Sequence, residues 1–277
     1  MNTYLLIASI VIFLCILLNR VSNRIGIPAL LAFIVLGMLF GSDGIMKIDF
    51  DNYARTRRRI LSASAKVFLE KGYAGASSKM VASLAGVSNG SPFFHYGNKE
   101  GVLLEFVKLM FSGQFGVAEE LAGGDGDALL LYAVETGLQL HIAELSEPLR
   151  ELYVTAYTLP STVAYIHENM MLQLEAIFAP YQRGNMLRDY GDLELASSGV
   201  VRSFMLQPCG GAFTMERKLR RCLECCFRIF EVPRENYQPV VERVLKMDLG
   251  AAAHQLVEET VRRVDEGYAA AQREGRG

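Results

Sequence analysis

A short stretch around residue 90 concentrates side chains that can hydrogen bond to bases and phosphates. It contains Asn89, Ser91 and His95, with Gly90 among them. An Asn side chain can pair with adenine, whereas a Ser hydroxyl pairs with any base. Gly90 would let the backbone approach a duplex closely, because glycine has no side chain to clash. The chemistry that this set supports is hydrogen-bonded recognition of nucleic acid.

A first helix is predicted ahead of this stretch. Ile60, Ala63, Ser64, Val67 and Phe68 follow the spacing of one face of an amphipathic helix. Four arginines, at positions 55, 57, 58 and 59, open this helix, and a glycine at position 72 is expected to stop it.

A sharp turn between two short helices is predicted next. Ser77 can cap a second helix, residues 78 to 85, by accepting a bond from an otherwise unpaired N–H. Gly86 can adopt the left-handed conformation that the turn needs, and Ser88 can cap a third helix. Two short helices around a glycine turn are typical of a helix-turn-helix, whose second helix lies in the major groove of DNA.

Pro92 leaves two possibilities for the third helix. Either the helix begins at Ser91, with Pro92 in its favoured position in the first turn, or its first turn is distorted. Of the aromatic residues that follow, Phe94 is expected to pack and Tyr96 to turn inward and close a three-helix core.

The stretch from Arg55 to Val107 resembles the DNA-binding domain of the TetR/AcrR family of transcriptional regulators. The resemblance rests on Arg59-Ile60-Leu61, Ala63, Val67-Phe68, Gly72-Tyr73, Ser77, Val81-Ala82, Ala85-Gly86-Val87-Ser88, Gly90, Phe93, Tyr96 and Lys99-Glu100. It implies a homodimeric repressor that binds a palindromic operator in double-stranded DNA and is released by a small apolar effector. The alternative is a generic three-helix core with no role at DNA.

The resemblance assigns DNA contacts to a defined set of residues. Phe93 stands where the family usually has Tyr, so a hydroxyl contact to phosphate is lost, and in the family the residue equivalent to Lys99 meets a phosphate. The implied DNA-binding residues are Arg58, Ser77, Ser78, Lys79, Ser88, Asn89, Gly90, Ser91, Phe93, His95, Tyr96 and Lys99.

The charge distribution fits a nucleic-acid contact made by one region only. Residues 55–110 carry nine Lys and Arg against three acids, a net charge of +6. Residues 1–54 carry three of each, and because the whole chain has a net charge of −2, the remainder carries −8. Strand-like alternation is nearly absent, and the odd number of five cysteines indicates reduced thiols in the cytoplasm.

The amino-terminal stretch differs from the rest of the chain. Residues 3–18 and 27–40 are almost wholly apolar and predict a transmembrane helical hairpin. The stretch MNTYLLIASIVIFLCILLNRVSNRIGIPALLAFIVLGMLFGSDG is similar to the first segments of monovalent cation/proton antiporters. Later spans that would build an ion site do not follow, so transport by this chain is not expected. A membrane-tethered regulator and a fused reading frame remain, and the abrupt junction near residues 52–55 favours the fusion.

Helical segments are predicted throughout the remainder, which gives an all-α fold in three domains. Residues 1–51 are the apolar hairpin, 52–112 the helix-turn-helix domain, and 113–277 a helical domain for effector binding and dimerisation. Further helices are expected from Lys99 to a break at Gly123, Asp127 to Leu145, between Pro148 and Pro160, from a Ser161 cap to Ala179, Leu193 to Leu206, Thr214 to Phe230, Tyr237 to Met247, and Ala251 to Ala271.

The helix from Thr214 to Phe230 places one apolar stripe opposite a basic side. By resemblance, two late helices of this kind pair with their symmetry mates, so the stripe is the predicted dimer interface. Its residues are Leu219, Cys222, Leu223, Cys226, Ile229 and Phe230. The cluster of Cys222, Cys225 and Cys226 could bind metal or sense oxidation, but small buried core residues are the preferred interpretation.

An effector pocket is implied by the resemblance alone. The candidate lining residues are His141, Tyr153, Tyr157, His167, Met171 and Met205, within a wider set that includes Tyr165, Met170 and Phe178. Aromatic and Met residues at helical spacing also occur in plain cores, so only a cavity would decide between the two. We see no catalytic constellation, phosphate-cradling glycine loop or metal motif, and expect neither an enzyme nor a cofactor.

Overall fold

The computed structural model describes residues 50–123, 126–182, 184 and 186–273. They form α1 (Phe50–Gly75), α2 (Ser78–Ala85), α3 (Ser91–Tyr96), α4 (Lys99–Ala122), α5 (Ala128–Leu145), α6 (Glu147–Ala156), α7 (Pro160–Phe178), α8 (Leu187–Leu206), α9 (Met215–Ile229), α10 (Arg234–Val244) and α11 (Leu249–Arg273). Over this part of the chain there is no strand beyond an isolated bridge between Gly210 and Phe213, so the predicted all-α class is confirmed. The two apolar runs predicted as a hairpin, residues 3–18 and 27–40, lie outside the described residues.

Side-chain caps set the starts of several helices, because the first N–H groups of a helix have no partner within it. Ser77 accepts from the Met80 N–H at 3.2 Å, as the sequence predicted, and Thr214 accepts from the Arg217 N–H at 3.2 Å. Further side-chain caps are Asn98 for α4, Asp127 for α5, Ser146 for α6 and Asp248 for α11.

Several predicted boundaries and one predicted cap differ from the structure, and α10 runs from Arg234 to Val244 rather than from Tyr237 to Met247. Gly72 breaks the helical geometry with φ 70° and ψ 175°, as expected, but the chain returns to helix and α1 extends to Gly75. The eighth helix begins at Leu187 rather than Leu193, because the Asp189 carboxylate accepts from the Met186 N–H at 2.6 Å and holds an earlier first turn. Ser161 does not cap α7, since its side chain bonds to Glu100 instead.

Two apolar cores lie within the unit formed by residues 56–277. The first core joins α1, α2 and α4, and Leu152 and Ala156 of α6 are buried in it. The second core is larger and is built around α5, with Tyr132, Phe178, Phe227 and other side chains from the later helices. Because α6 contributes to both cores, the helices around residue 90 share packing with the rest of this unit.

One described helix, α4, has the length and composition that a membrane span needs. It has 24 residues, and a third of its most apolar window is buried inside the protein. Core helices satisfy the same criteria, so this helix by itself is weak evidence for a membrane segment.

Candidate nucleic-acid interface and effector cavity

The turn between α2 and α3 is held in place by an arginine of α1. Gly86 has φ 63° and ψ 41°, the left-handed conformation that was predicted. The Arg59 guanidinium donates to the carbonyl of Ala85 at 2.6 Å and to that of Gly86 at 3.2 Å. The backbone angle favours glycine, and a Cβ at position 86 would lie 2.8 Å from the guanidinium and displace it.

The third helix begins at Ser91, with Pro92 in its first turn and Gly90 as the N-cap residue. This confirms the first of the two predicted alternatives. The prediction that Ser88 caps the helix is wrong. Its hydroxyl forms a hydrogen bond of 2.8 Å with the Ser91 hydroxyl, and its carbonyl accepts from the Ser91 N–H. The proline explains the difference, because it favours the first turn of a helix and moves the start past Ser88.

Most of the predicted DNA contacts lie on the surface of these helices. Phe93 and Phe94 are 52% and 56% exposed, so the expectation that Phe94 packs is wrong. The Phe94 ring meets the His95 ring edge-on, with ring centres 5.2 Å apart. The predicted contacts that are exposed are Arg58, Ser77, Lys79, Ser88, Asn89, Gly90 and Phe93, and those that are half-buried are Ser78, Ser91, Tyr96 and Lys99.

Two predicted contacts are instead part of the packing. His95 is 9% exposed, and its burial, with the nearby Arg57 charge, lowers its pKa below the usual value. The Tyr96 hydroxyl donates to the Arg57 carbonyl at 2.7 Å, and the Arg57 guanidinium lies 4.5 Å from the centre of the Tyr96 ring. The assignment of His95 to base contact is therefore wrong as the chain stands, and Tyr96 closes the core as predicted.

Lys99 lies at the edge of the same surface. Its ammonium is 4.3 Å from the centre of the Tyr73 ring, a cation–π distance. Burial lowers the pKa of this lysine. The half-exposed ammonium therefore has an aromatic support that fixes its position at the start of α4.

Two carboxylates connect the helix-turn-helix to the helices that follow. Glu100 accepts hydrogen bonds from the N–H and the hydroxyl of Ser161, at 2.8 and 2.7 Å, and these bonds lower its pKa. Glu151 of α6 accepts from the Ala74 N–H at 2.7 Å. The first turn of α4 is thus hydrogen bonded to the first turn of α7. In the same way, the end of α1 is hydrogen bonded to the middle of α6.

A cavity of about 210 Å³ lies between α4, α5 and α7. One of its lining residues, Glu135, is only 6% exposed, and burial raises the pKa of this carboxyl to about 7. Sequence reasoning missed Glu135, although it is the one acid between Asp127 and Glu144 in an otherwise apolar helix. The lining residues are Phe111, Ser112, Phe115, Glu135, Tyr165, Ile166, Asn169, Met170 and Gln173.

The six candidate pocket residues do not line this cavity, although Tyr165 and Met170 of the wider predicted set do. The polar atoms of the six candidates instead form hydrogen bonds inside the packed helices. Tyr153 donates to Gln114 at 3.1 Å and Tyr157 to Gln139 at 2.8 Å. The others pack similarly: His141 Nδ1 lies 2.8 Å from the Gly137 carbonyl, His167 Nδ1 2.9 Å from Glu194, Met171 against Gly191, and Met205 fully in the core.

The predicted dimer stripe on α9 is also buried, within the chain itself. Phe230 stacks on Phe178 with ring centres 3.8 Å apart, and Ile229 is the only stripe residue that is half-buried. The prediction of a dimer interface there is wrong, because α9 turns its apolar face toward α5, α8 and α10 of its own chain. The fully buried stripe residues are Leu219, Cys222, Leu223, Cys226 and Phe230.

One lysine on the predicted basic side of α9 is not exposed. Lys218 is fully buried and pairs with Glu144. Cys222 and Cys226 are buried free thiols, in line with the preferred interpretation as core residues. Over the described residues no group of three or more His, Cys, Asp or Glu side chains is placed to hold a metal ion.

The helix-turn-helix matches a known family of proteins. Residues 60–106 match the family model of bacterial regulatory proteins of the tetR family. The HTH-type transcriptional regulator YerO of Bacillus subtilis is 25% identical over 160 residues, which are 54% of each chain. The chain thus spans about half the length of this relative.

A second kind of match is much shorter. The K(+)/H(+) antiporter NhaP2 of Shewanella sp. (strain ANA-3) is 43% identical over 53 residues, 19% of this chain and 9% of the antiporter. Among solved structures, the TetR family protein CprB from S. coelicolor A3(2) is 19% identical, with a TM-score of 0.43 over 70% of this chain and 98% of its own. The helix-turn-helix described above thus lies in the segment, residues 60–106, that is similar to bacterial regulatory proteins of the tetR family.

Proposed function

We propose that this protein is a repressor that binds a palindromic operator as a homodimer and is released by a small ligand. The observation that carries the proposal is the set of exposed hydrogen-bonding groups on α2 and on the turn between α2 and α3. Lys79 is exposed on α2, and Ser88 and Asn89 are exposed in the turn between α2 and α3, whose first residues are bonded to Arg59. Exposed polar side chains on a rigid pair of helices suit recognition of base edges and phosphates.

Ligand release would use the hydrogen bonds between the two parts of the molecule. The cavity is lined by α7, and the first turn of α7 is bonded to Glu100 through Ser161. A ligand that favours a different position of α7 would therefore shift α4 and the helices packed on it. In such a mechanism the ligand changes operator affinity only by its own preference for one of the two positions.

The homodimer requires a surface other than the buried stripe of α9. We assign it to the outer face of α8, where Leu195 and Leu206 are each 54% exposed. Gly199 lies between them on the same face, and a Cβ added there would have nothing within 4 Å, so a second helix could approach closely. Gly199→Arg is expected to convert a dimer of about 61 kDa, twice 30.7 kDa, to the monomer in light-scattering measurements.

DNA binding is tested by footprinting the full-length protein on the intergenic DNA that flanks its gene. We expect a protected palindrome whose protection weakens steeply as salt rises, because binding releases counterions from the phosphates. Lys79→Gln should weaken binding to all sequences, whereas Lys246→Gln, at an exposed lysine on the loop after α10, should not. Absence of salt-sensitive protection would contradict the proposal.

The match to an antiporter supports a second possibility for the amino-terminal stretch. A membrane-tethered regulator would carry residues 3–40 in the bilayer. A fused reading frame would instead give a cytoplasmic regulator whose amino-terminal segment comes from an unrelated gene. We favour the fusion and a cytoplasmic location. Sequencing the transcript across codons 45–60 distinguishes the two, since one continuous, independently confirmed message would support the tether.

A further inference from the structure

The cavity between α4, α5 and α7 contains a buried carboxyl group that the protein itself does not pair. Glu135 is 6% exposed, and no hydrogen bond or ion pair to its carboxyl is found among the described residues. Burial of a charge without a partner is costly, so such groups are usually paired or changed in protonation. The side chain therefore calls for a donor that comes from outside the chain.

The neighbouring polar groups are already engaged with one another. The Tyr153 hydroxyl donates to Gln114 and the Tyr157 hydroxyl donates to Gln139. The pKa of each tyrosine is raised by burial and by the Glu135 charge, so both stay neutral donors. With these hydroxyls bonded elsewhere, the open side of Glu135 is the cavity.

The rest of the cavity wall combines apolar and aromatic side chains with the neutral polar side chains of Ser112, Asn169 and Gln173. Phe111 and Phe115 come from α4, and Tyr165, Ile166 and Met170 from α7. Aromatic faces attract cations, and Met adapts its shape to varied apolar groups. One buried acid in a wall of this kind matches a ligand that carries a single positive charge on an apolar body.

We propose that the effector is an amphipathic organic cation whose protonated amine pairs with Glu135 while its apolar part lies against Phe111 and Tyr165. This inference rests on the proposed ligand-released function and specifies the ligand class. A protonated amine supplies both the charge and the hydrogen-bond donors that the carboxyl lacks. An anion of the same size would be repelled by the carboxylate.

Three probes with one apolar body test this ligand class. Binding of 4-phenylbutylammonium, 4-phenylbutanol and 4-phenylbutyrate to the full-length protein is measured by calorimetry at pH 7.5. We expect the ammonium probe to bind at least about tenfold more tightly than the alcohol, because hydrogen bonds to charged groups are the strong ones. The carboxylate probe should bind most weakly.

Two variants test whether the preference for the ammonium probe comes from Glu135. Glu135→Gln should reduce the preference for ammonium over alcohol to about twofold or less, while Glu168→Gln, at an exposed acid on α7, should leave it unchanged. If Glu135→Gln does not fold, carbon-13 NMR of the glutamate carboxyls in the unaltered protein replaces it. There, 4-phenylbutylammonium should lower the pKa of Glu135 by at least one unit.

The outcomes separate this proposal from the regulatory function. If the protein protects its operator but shows no ammonium preference, or if the pKa of Glu135 does not move, the cation site is wrong and the regulator stands. If the ammonium probe binds through Glu135 but no DNA is protected, the ligand site stands and the regulatory role fails.

Discussion

The proposed DNA interface, formed by α2, α3 and the turn between them, and the cavity between α4, α5 and α7 place their polar groups in opposite environments. Asn89 and Ser88 are exposed, so folding does not remove their polar groups from water. Substitutions at these two positions can therefore change which ligand is recognised. Glu135 lies inside, where an unpaired charge works against folding. The outer site can therefore change its specificity without a change in stability, whereas the inner site links ligand, protonation and stability.

The largest effect is expected from the small core that supports the interface. Phe68 is 1% exposed and packs against Phe106 and Tyr73, with ring centres 6.3 and 5.7 Å away. Phe68→Ala should lower the free energy of unfolding by about 3–5 kcal/mol in urea denaturation, through lost burial and a cavity.

The matched control is a phenylalanine on the exposed surface of α3. Phe94→Ala should change the free energy of unfolding by no more than about 0.5 kcal/mol, since Phe94 is 56% exposed. Equal losses for the two variants would show that the surface residues also support the fold, and the outer site would then not be independent of stability.

The second effect concerns the pH dependence of stability. The pKa of Glu135 is raised to about 7 by burial, so near neutral pH the folded state holds a proton that the unfolded chain has already released. The stability from this group should therefore be fully present below the unfolded pKa of about 4.5 and fall by about 3 kcal/mol as the pH rises from there to about 7. Urea unfolding from pH 4.5 to 8 measures this fall.

Glu135→Gln should remove that fall, while Glu168→Gln should retain it. A slope that is the same in both variants would assign the pH dependence to other groups. The groups that face Glu135 are the hydroxyls of Tyr153 and Tyr157, with Tyr165 on the wall of the same cavity.

The third effect separates base recognition from phosphate contact at the interface. Asn89→Ala should reduce discrimination at one base pair by about 1–3 kcal/mol, with little change in the salt dependence. Lys79→Gln should weaken binding to every sequence and reduce the slope of log K against log salt by about one. Titrations of operator and mutated operator at several salt concentrations distinguish them, and a uniform loss for Asn89→Ala would argue against base contact.

The smallest effect tests the connection between the two sites. Ser161→Ala removes the hydroxyl bond to Glu100 but keeps the backbone bond. We expect a change of about 0.5–1.5 kcal/mol in the coupling between ligand and operator binding, measured as the ligand-induced drop in operator affinity. Thr158→Ala, at an exposed threonine nearby, should leave the coupling unchanged. No difference between the two variants would place the connection elsewhere, for example at Glu151.

The sequence alone determined the fold class and the helix-turn-helix. The spacing of Ile60 to Phe68, the Ser77 cap and the left-handed Gly86 are local features, and local geometry repeats wherever the same residues occur. Most predicted helix ends fell close to the observed ones for the same reason. The start of α8 and the cap of α7 were missed because Met186 has no capping side chain and Ser161 is taken by Glu100, which lies far away in sequence.

Only the tertiary structure decided which apolar faces are inside. The stripe on α9 has the spacing of a dimer helix, yet it is covered by α5, α8 and α10, and spacing cannot show what covers a face. His95, expected at the surface, is buried, and Phe94, expected to pack, is exposed. The direction of α3 depends on Pro92 and on the contacts of Arg57, so spacing alone could not show which side chain faces inward. The cavity and the unpaired carboxyl of Glu135 arise where three helices fail to meet, a property of the assembled helices rather than of any one segment.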